Sequence, residues 1–221
     1  MSPSFAIIAG VGPGVGAALA RRFAKGGLGV AMIARDTLRL DALAASIRAA
    51  GGVVVPYAAD LSDHESIREV IASILADHGR PVALVWNAAV WDETPALTLD
   101  PAAFDRQMRL GLTGAVTALQ AVAPAMTAGG GGSILLTGGG LALAPEHGGP
   151  VPALTAVKSA LRGFVHASAP ALAAQGLRLG TVTIAGRVVP GTAFDPDNIA
   201  EAFWRLHSDP DPRIEKVFDG S

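Results

Sequence analysis

The 221-residue chain has no cysteine and a single tyrosine, Tyr57, and only 16% of its residues are charged. Without cysteine there can be neither a disulfide framework nor a thiolate metal site, and the absence accords with a reducing compartment. No metal is expected. The sparse charge, 17 Lys plus Arg against 19 Asp plus Glu, forms no basic cluster, so nucleic acid and anionic membrane surfaces are not expected partners. The uncharged stretch from Leu110 to Pro145 is interrupted by Pro124 and by glycines at 129–132, which leaves no unbroken apolar span of about 20 residues. The opening MSPSFAIIAG lacks a basic n-region and reads as a strand, not a signal peptide. A soluble, cytoplasmic protein acting on a small molecule is the expectation.

Half of the residues are hydrophobic, enough for one domain with a sizeable core over residues 1–221. Short apolar runs alternate with longer helical patterns, which predicts βαβ units around a parallel sheet with helices on both faces. Strands are expected at Phe5–Ala9, Gly29–Ala34, Val53–Ala58, Val82–Trp86, Ser133–Thr137, Leu177–Ile184 and Ile214–Phe218. Most are continuously apolar, as strands covered on both faces are. Helices are expected at 14–25, 37–50, 63–78, 101–127, 153–175 and 197–207. The third has a start signal in SDHE, with Ser62 as its cap and Glu65 reaching back.

The first strand runs directly into AGVGPGVGAALARRFA, which opens an amphipathic helix. Gly10 permits a tight turn, Gly14 lets backbone approach a pyrophosphate, and Gly16, beside Val15, allows close helix–strand packing. The helix N-terminus then faces the phosphates. This predicts a single dinucleotide-binding domain of Rossmann type.

The spacing Gly10-x3-Gly14-x-Gly16 resembles the short-chain dehydrogenase/reductase (SDR) family, and further matches follow in order. AADLSD resembles the element that sets Asp60 and Leu61 beside the adenine. VWNAAV resembles the Asn-Asn-Ala-Gly turn through Asn87, Ala88 and Ala89, with Trp86 in place of the first Asn. TAVKSAL resembles the end of the Tyr-x3-Lys helix, and IAGRV the nicotinamide turn through Gly186 and Val188. The likeness spans residues 5 to about 192. It implies a parallel sheet of about seven strands in the order 3-2-1-4-5-6-7. At the end of the second strand, AMIARD places Ala34 where the family has an acid and Arg35 next to it, which favours NADP(H) over NAD(H).

Carried over residue by residue, the family's catalytic set is nearly empty. Leu154 stands at the Tyr position, Gly139 at the Ser position and Gly111 at the Asn position, while Lys158 is retained. Lys158 can still bond the nicotinamide ribose. His147, beside Glu146 in the loop before the lysine helix, is a candidate replacement acid, with an exposed loop histidine as the plainer reading. Thr137 could orient substrate or simply bond backbone, Arg187 could meet an anion, and Trp86 and Trp91 flank the nicotinamide turn. His166 reads as a packing or interface residue. The segment after Gly186 is short for a substrate lid.

Three functions remain open. One is an atypical NADP(H)-dependent oxidoreductase. Another is a non-catalytic NADP(H)-binding sensor or partner subunit. The last is a role in assembly, since helices 101–127 and 153–175, apolar around much of their circumference, are expected to form a homodimer or homotetramer. The first is the reading adopted here.

Overall fold

Phe5–Ala9 (β1) is apolar at every position and buried on both faces, which fits the centre of a sheet. In the computed structural model, which describes residues 4–210 and 213–220, β1 lies between Gly29–Ala34 (β2) and Pro81–Trp86 (β4). Val54–Ala58 (β3), Gly132–Gly139 (β5), Leu177–Ile184 (β6) and Glu215–Phe218 (β7) complete a sheet ordered β3-β2-β1-β4-β5-β6-β7. Every neighbouring pair is parallel. Strand order reverses between β1 and β4, and in such sheets the crevice for a ligand opens there, at the carboxyl ends.

Val15–Lys25 (α1), Thr37–Ala49 (α2) and Pro196–Ser208 (α7) cover one face, where Ile8, Met32, Phe23 and Phe203 form the core. On the other face, His64–His78 (α3), Gly114–Ala128 (α5) and Pro152–Ala173 (α6) pack over Ile7, Leu84 and Leu136. Alternate residues of β1 serve the two cores.

Two expectations need correction. Helix α3 is capped by Asp63, whose side chain accepts from the Glu65 N–H; Ser62 instead donates both its N–H and its hydroxyl to Asp60. The helix expected over 101–127 is also not uniform. Pro101–Met108 (α4) widens into a π-helical turn at Arg109–Thr113 before α5 continues. By length and composition the stretch Pro101–Ala128 could cross a membrane, but its apolar residues pack on the sheet and on α3.

The π turn has two visible partners. The Trp86 indole N–H donates to the Leu110 carbonyl, inside the widened turn, at 3.1 Å. Gly111 lies against α6 so closely that a Cβ there would be 2.3 Å from a Val157 methyl. The family's asparagine therefore cannot simply be restored.

On α6, Leu154, Lys158, Arg162 and His166 recur at four-residue spacing and share a face. Arg162 and His166 both donate to Glu215 of β7, joined by the Thr183 hydroxyl. The Glu215 side chain is only 9% exposed. Burial alone would raise its pKa, but the donors from Arg162, Thr183 and His166 outweigh that and hold it at about 2.

Two outcomes follow. Gly111→Asn should lower stability by about 1–3 kcal/mol through overpacking, with Val157→Ala in the same chain recovering most of it in chemical denaturation. Because the folded-state pKa of Glu215 lies below its ordinary 4.5, its contribution is complete above that value and is lost as pH falls toward 2. Glu215→Gln should cost about 2–3 kcal/mol at pH 7 and flatten the acid limb of the stability profile.

Candidate functional site

The crevice at the switch point is a cavity of about 700 Å³. It is lined by the glycine turn, by Ala34, Arg35, Asp36 and Arg39 at one end, and by Asn87–Val90 and Leu110 at the other. Its size falls within the range of small-molecule and cofactor sites.

The glycine turn is shaped by close backbone contact. Gly10 has φ +86, and a Cβ there would stand 2.6 Å from the Ala88 nitrogen. At Gly16 a Cβ would lie 2.5 Å from the Gly10 carbonyl oxygen. Gly14 differs: a Cβ would meet no described atom within 4 Å, because its outer side is open cleft. Helices α2, α3, α4 and α7 begin under Asp36, Asp63, Asp100 and Asp195, each accepting from its helix's first-turn N–H groups. Helix α1 begins at Gly14 with no side-chain cap. Its uncapped N–H groups and dipole suit an anion, so the residues present fit a pyrophosphate.

At the adenosine end Arg35 is exposed, as is Arg39 one turn into α2. Arg39 pairs with Asp36 at 3.0 Å. Asp60 is exposed, and its carboxyl is held low first by the Ser62 backbone N–H, then by the Ser62 hydroxyl, with Arg35 adding to the effect. Its carboxylate is thus committed to a local turn.

At the other end Asn87 joins three strands. Its backbone N–H donates to Ala9, its side-chain amide donates to the Gly10 carbonyl at 3.0 Å, and its Oδ1 accepts from the Thr137 hydroxyl at 3.0 Å. The Thr137 carbonyl in turn accepts from Lys158 Nζ at 2.7 Å. Lys158 is 7% exposed, and burial brings its pKa down to about 8. The room for it comes from Gly139, where a Cβ would lie 3.3 Å from Lys158 Cγ. One turn earlier Leu154 is 8% exposed and apolar. The lysine's described hydrogen-bond partner is therefore a backbone carbonyl of β5, and an apolar side chain stands one turn before it.

The structure brings Gly10, Gly14, Val15, Gly16, Arg35, Leu61, Asn87, Ala88 and Ala89 into one cleft. Lys158 joins it through Thr137 and Asn87. Gly186 lies beyond, with the Phe194 ring packed where its Cβ would be, and Val188 is exposed on the same connection. His147 is exposed in a 3-10 turn at Pro145–Gly148, its backbone N–H bonded to Ala144. Trp86 is core, and Tyr57 donates to Asp77 on the outer edge of the sheet, where burial and that carboxylate raise its pKa. His166 and Arg162 are bound to Glu215. Among the described residues no group of three or more His, Cys, Asp or Glu could hold a metal.

Sequence reasoning missed Arg39, Val90 and Leu110 as lining residues. For Arg39 the signal was its spacing, four residues after Arg35 and in the first turn of the next helix.

Comparison with known proteins agrees with this geometry. A model of the short chain dehydrogenase family matches residues 4–193. Short-chain dehydrogenase reductase 5 of Arabidopsis thaliana is 30% identical over 196 residues, covering 87% of this chain and 74% of that protein. Sorbitol dehydrogenase of Cereibacter sphaeroides is 34% identical over 131 residues, a match spanning 59% of this chain and 50% of that enzyme's length. A metagenomic short-chain oxidoreductase solved in complex with NADP superposes with a TM-score of 0.88 at 32% identity, covering 98% of this chain and 97% of the other. The chain belongs to the short-chain dehydrogenase family.

Proposed function

We propose that this protein is an NADP(H)-dependent oxidoreductase acting on a small molecule whose reduction needs no proton from a tyrosine. The observation that carries the reading is the single cleft in which an uncapped helix N-terminus and the Gly14 opening are followed by two arginines, Arg35 and Arg39, at the adenosine end. Two guanidinium groups favour a 2′-phosphate, Ala34 puts no acid at the end of β2, and the one acid lining this end, Asp36, is engaged by the backbone N–H and side chain of Arg39. The NADP bound to the metagenomic relative supports the same choice.

Bound here, the cofactor would supply or accept a hydride at its nicotinamide. Gly10–Gly16 would hold the pyrophosphate, Leu61 the adenine side, Asn87–Ala89 and Gly186–Val188 the nicotinamide end, and Lys158 the ribose beyond. An ammonium has three donors, and among the described residues Lys158 uses one acceptor, Thr137 O, which leaves donors for sugar hydroxyls.

Reduction of a ketone leaves an oxyanion, and neither Leu154 nor Gly139 can supply a proton to it. Absence of a positioned acid costs about 10²- to 10⁴-fold in rate. A cationic C=N acceptor ends neutral and needs no such donor. His147 is a side chain that could bring a proton, from the exposed turn before α6. The second reading, a cofactor-binding protein without turnover, is favoured by Leu154, Gly139 and the Val157 closure at Gly111. Screening NADPH oxidation against imines, enones and ketones separates the two: inertness across the panel with intact NADPH binding supports the second.

Calorimetry should give tighter binding of NADPH than of NADH. Arg35→Ala should weaken NADPH about ten- to a hundred-fold and leave NADH nearly unchanged; equal losses for both would overturn the phosphate assignment. Lys158 provides another test. Its folded-state pKa of about 8 lies below its ordinary 10.5, so its buried charge penalises the fold below pH 8 and the penalty lifts as pH rises toward 10.5. Lys158→Met should abolish that rise in stability with pH, raise the apo-protein's Tm near pH 7, and weaken NADPH binding about ten-fold.

A further inference from the structure

Large apolar side chains are not scattered evenly over this surface. Among the described residues nine are markedly exposed, and six of them, Val90, Trp91, Leu97, Leu143, Val188 and Val189, sit on the connections that follow β4, β5 and β6. These three strands are neighbours in the sheet, and their carboxyl ends carry Asn87, Gly139 and Gly186. Leu97 is fully exposed, Trp91 is 65% exposed and the other four lie between 37% and 41%. Clustered exposed apolar groups mark binding surfaces, whereas single ones need no explanation.

The connections are fixed, not loose. Gln107 of α4 donates to Asp92 at 3.0 Å, and Thr94 donates to the same carboxylate, tying the Trp91 connection to the helix. The Trp91 indole N–H is satisfied by Glu93 at 2.8 Å, so its polar edge is occupied and its ring face is left over. A Cβ at Gly140 would lie 3.0 Å from Ala185 Cα, which puts the turns after β5 and β6 in backbone contact. Phe194 packs on Gly186, and its carbonyl accepts from the Val189 N–H, which closes the connection after β6 on itself. Beneath the rim Leu154 and Gly139 present no polar side chain, and the polar groups there, Asn87, Thr137 and Lys158, are hydrogen-bonded to one another. The exposed charges on these connections, Glu93, Asp100, Glu146 and Arg187, include a single base, which makes no field suited to a polyanionic substrate.

We propose that the molecule reduced at this site is lipophilic: an apolar carbon skeleton whose one polar feature is the C=N or C=O at its reacting end, seated between Trp91 and the Val188–Val189 connection. This rests on the NADP(H) reading above. Apolar contact at the rim would supply affinity that Leu154 and Gly139, which carry no hydrogen-bonding side chain, do not.

The test uses the full chain loaded with NADPH and a series of 2-alkyl-1-pyrrolines, from methyl to pentyl, followed by NADPH oxidation. KM should fall about four-fold for each added methylene until the rim is filled. The double variant Trp91→Ser, Val189→Thr should flatten that slope while leaving the Kd for NADPH and the far-ultraviolet circular dichroism unchanged. Both residues are exposed, so the fold should survive; Val189→Thr alone, nearly isosteric, should flatten it in part. A KM independent of chain length, a preference for carboxyalkyl members, or a slope unaltered in both variants would overturn the proposal. So would a fall in particle size on rim substitution with the slope unaltered, since the patch would then be covering a second copy of the chain. If NADPH itself fails to bind, the functional reading falls and this one with it; if NADPH binds and no pyrroline is turned over or binds in competition, only the lipophilic assignment falls.

Discussion

Two backbones in contact, the turn after β1 and the turn after β4, set the geometry of the carboxyl end of the sheet. Gly10 adopts a left-handed conformation and lies so near Ala88 that no larger residue fits. Asn87 then does what no backbone group could, closing hydrogen bonds to β1 and accepting one from β5 at once. Through Thr137 the same network reaches the ammonium of Lys158. The phosphate end and the sugar end of the cleft are therefore parts of one rigid frame, and a shift at either is felt at the other.

Much of this was legible in residues alone because the strands announce themselves. Phe5–Ala9 and Gly29–Ala34 are apolar runs of the right length, Leu177–Ile184 is rich in aliphatic and β-branched residues, and each forms the strand expected at the same bounds. The glycine pattern after β1 is likewise local, since its constraints come from the next few residues. What stayed hidden depends on partners remote in sequence. The π turn needs Trp86 and Val157, 24 residues before Leu110 and 46 after Gly111; neither can be assigned to it from periodicity. The Glu215 cluster joins residues 32 to 53 positions apart. Ser62 and Asp63 are both competent caps, and the choice between them was made by Asp60, which engages the serine in a turn of its own.

The missing polar groups at 111, 139 and 154 leave no holes behind them. Val157 closes on Gly111, the lysine stem lies over Gly139, and Leu154 joins the buried face of α6. Such repacking makes the alternative residues part of the fold's stability, and returning to the more usual set would require moving their neighbours as well. The charged lysine is the exception. Its burial without a carboxylate is unfavourable for the fold, so its retention points to a role that packing does not explain.

The π turn at Arg109–Thr113 also fixes a helical phase. It accommodates one residue more than a regular α-helix would, so every position beyond it is offset by about 100° from the phase that α4 alone would dictate. Excising a single residue there would straighten the two segments into one cylinder and swing Ala115, Ala118, Leu119 and Val122 away from the sheet they cover. The core on that face tolerates α5 only in its present rotation, which makes the length of this turn as much a determinant of the architecture as the identity of any residue within it.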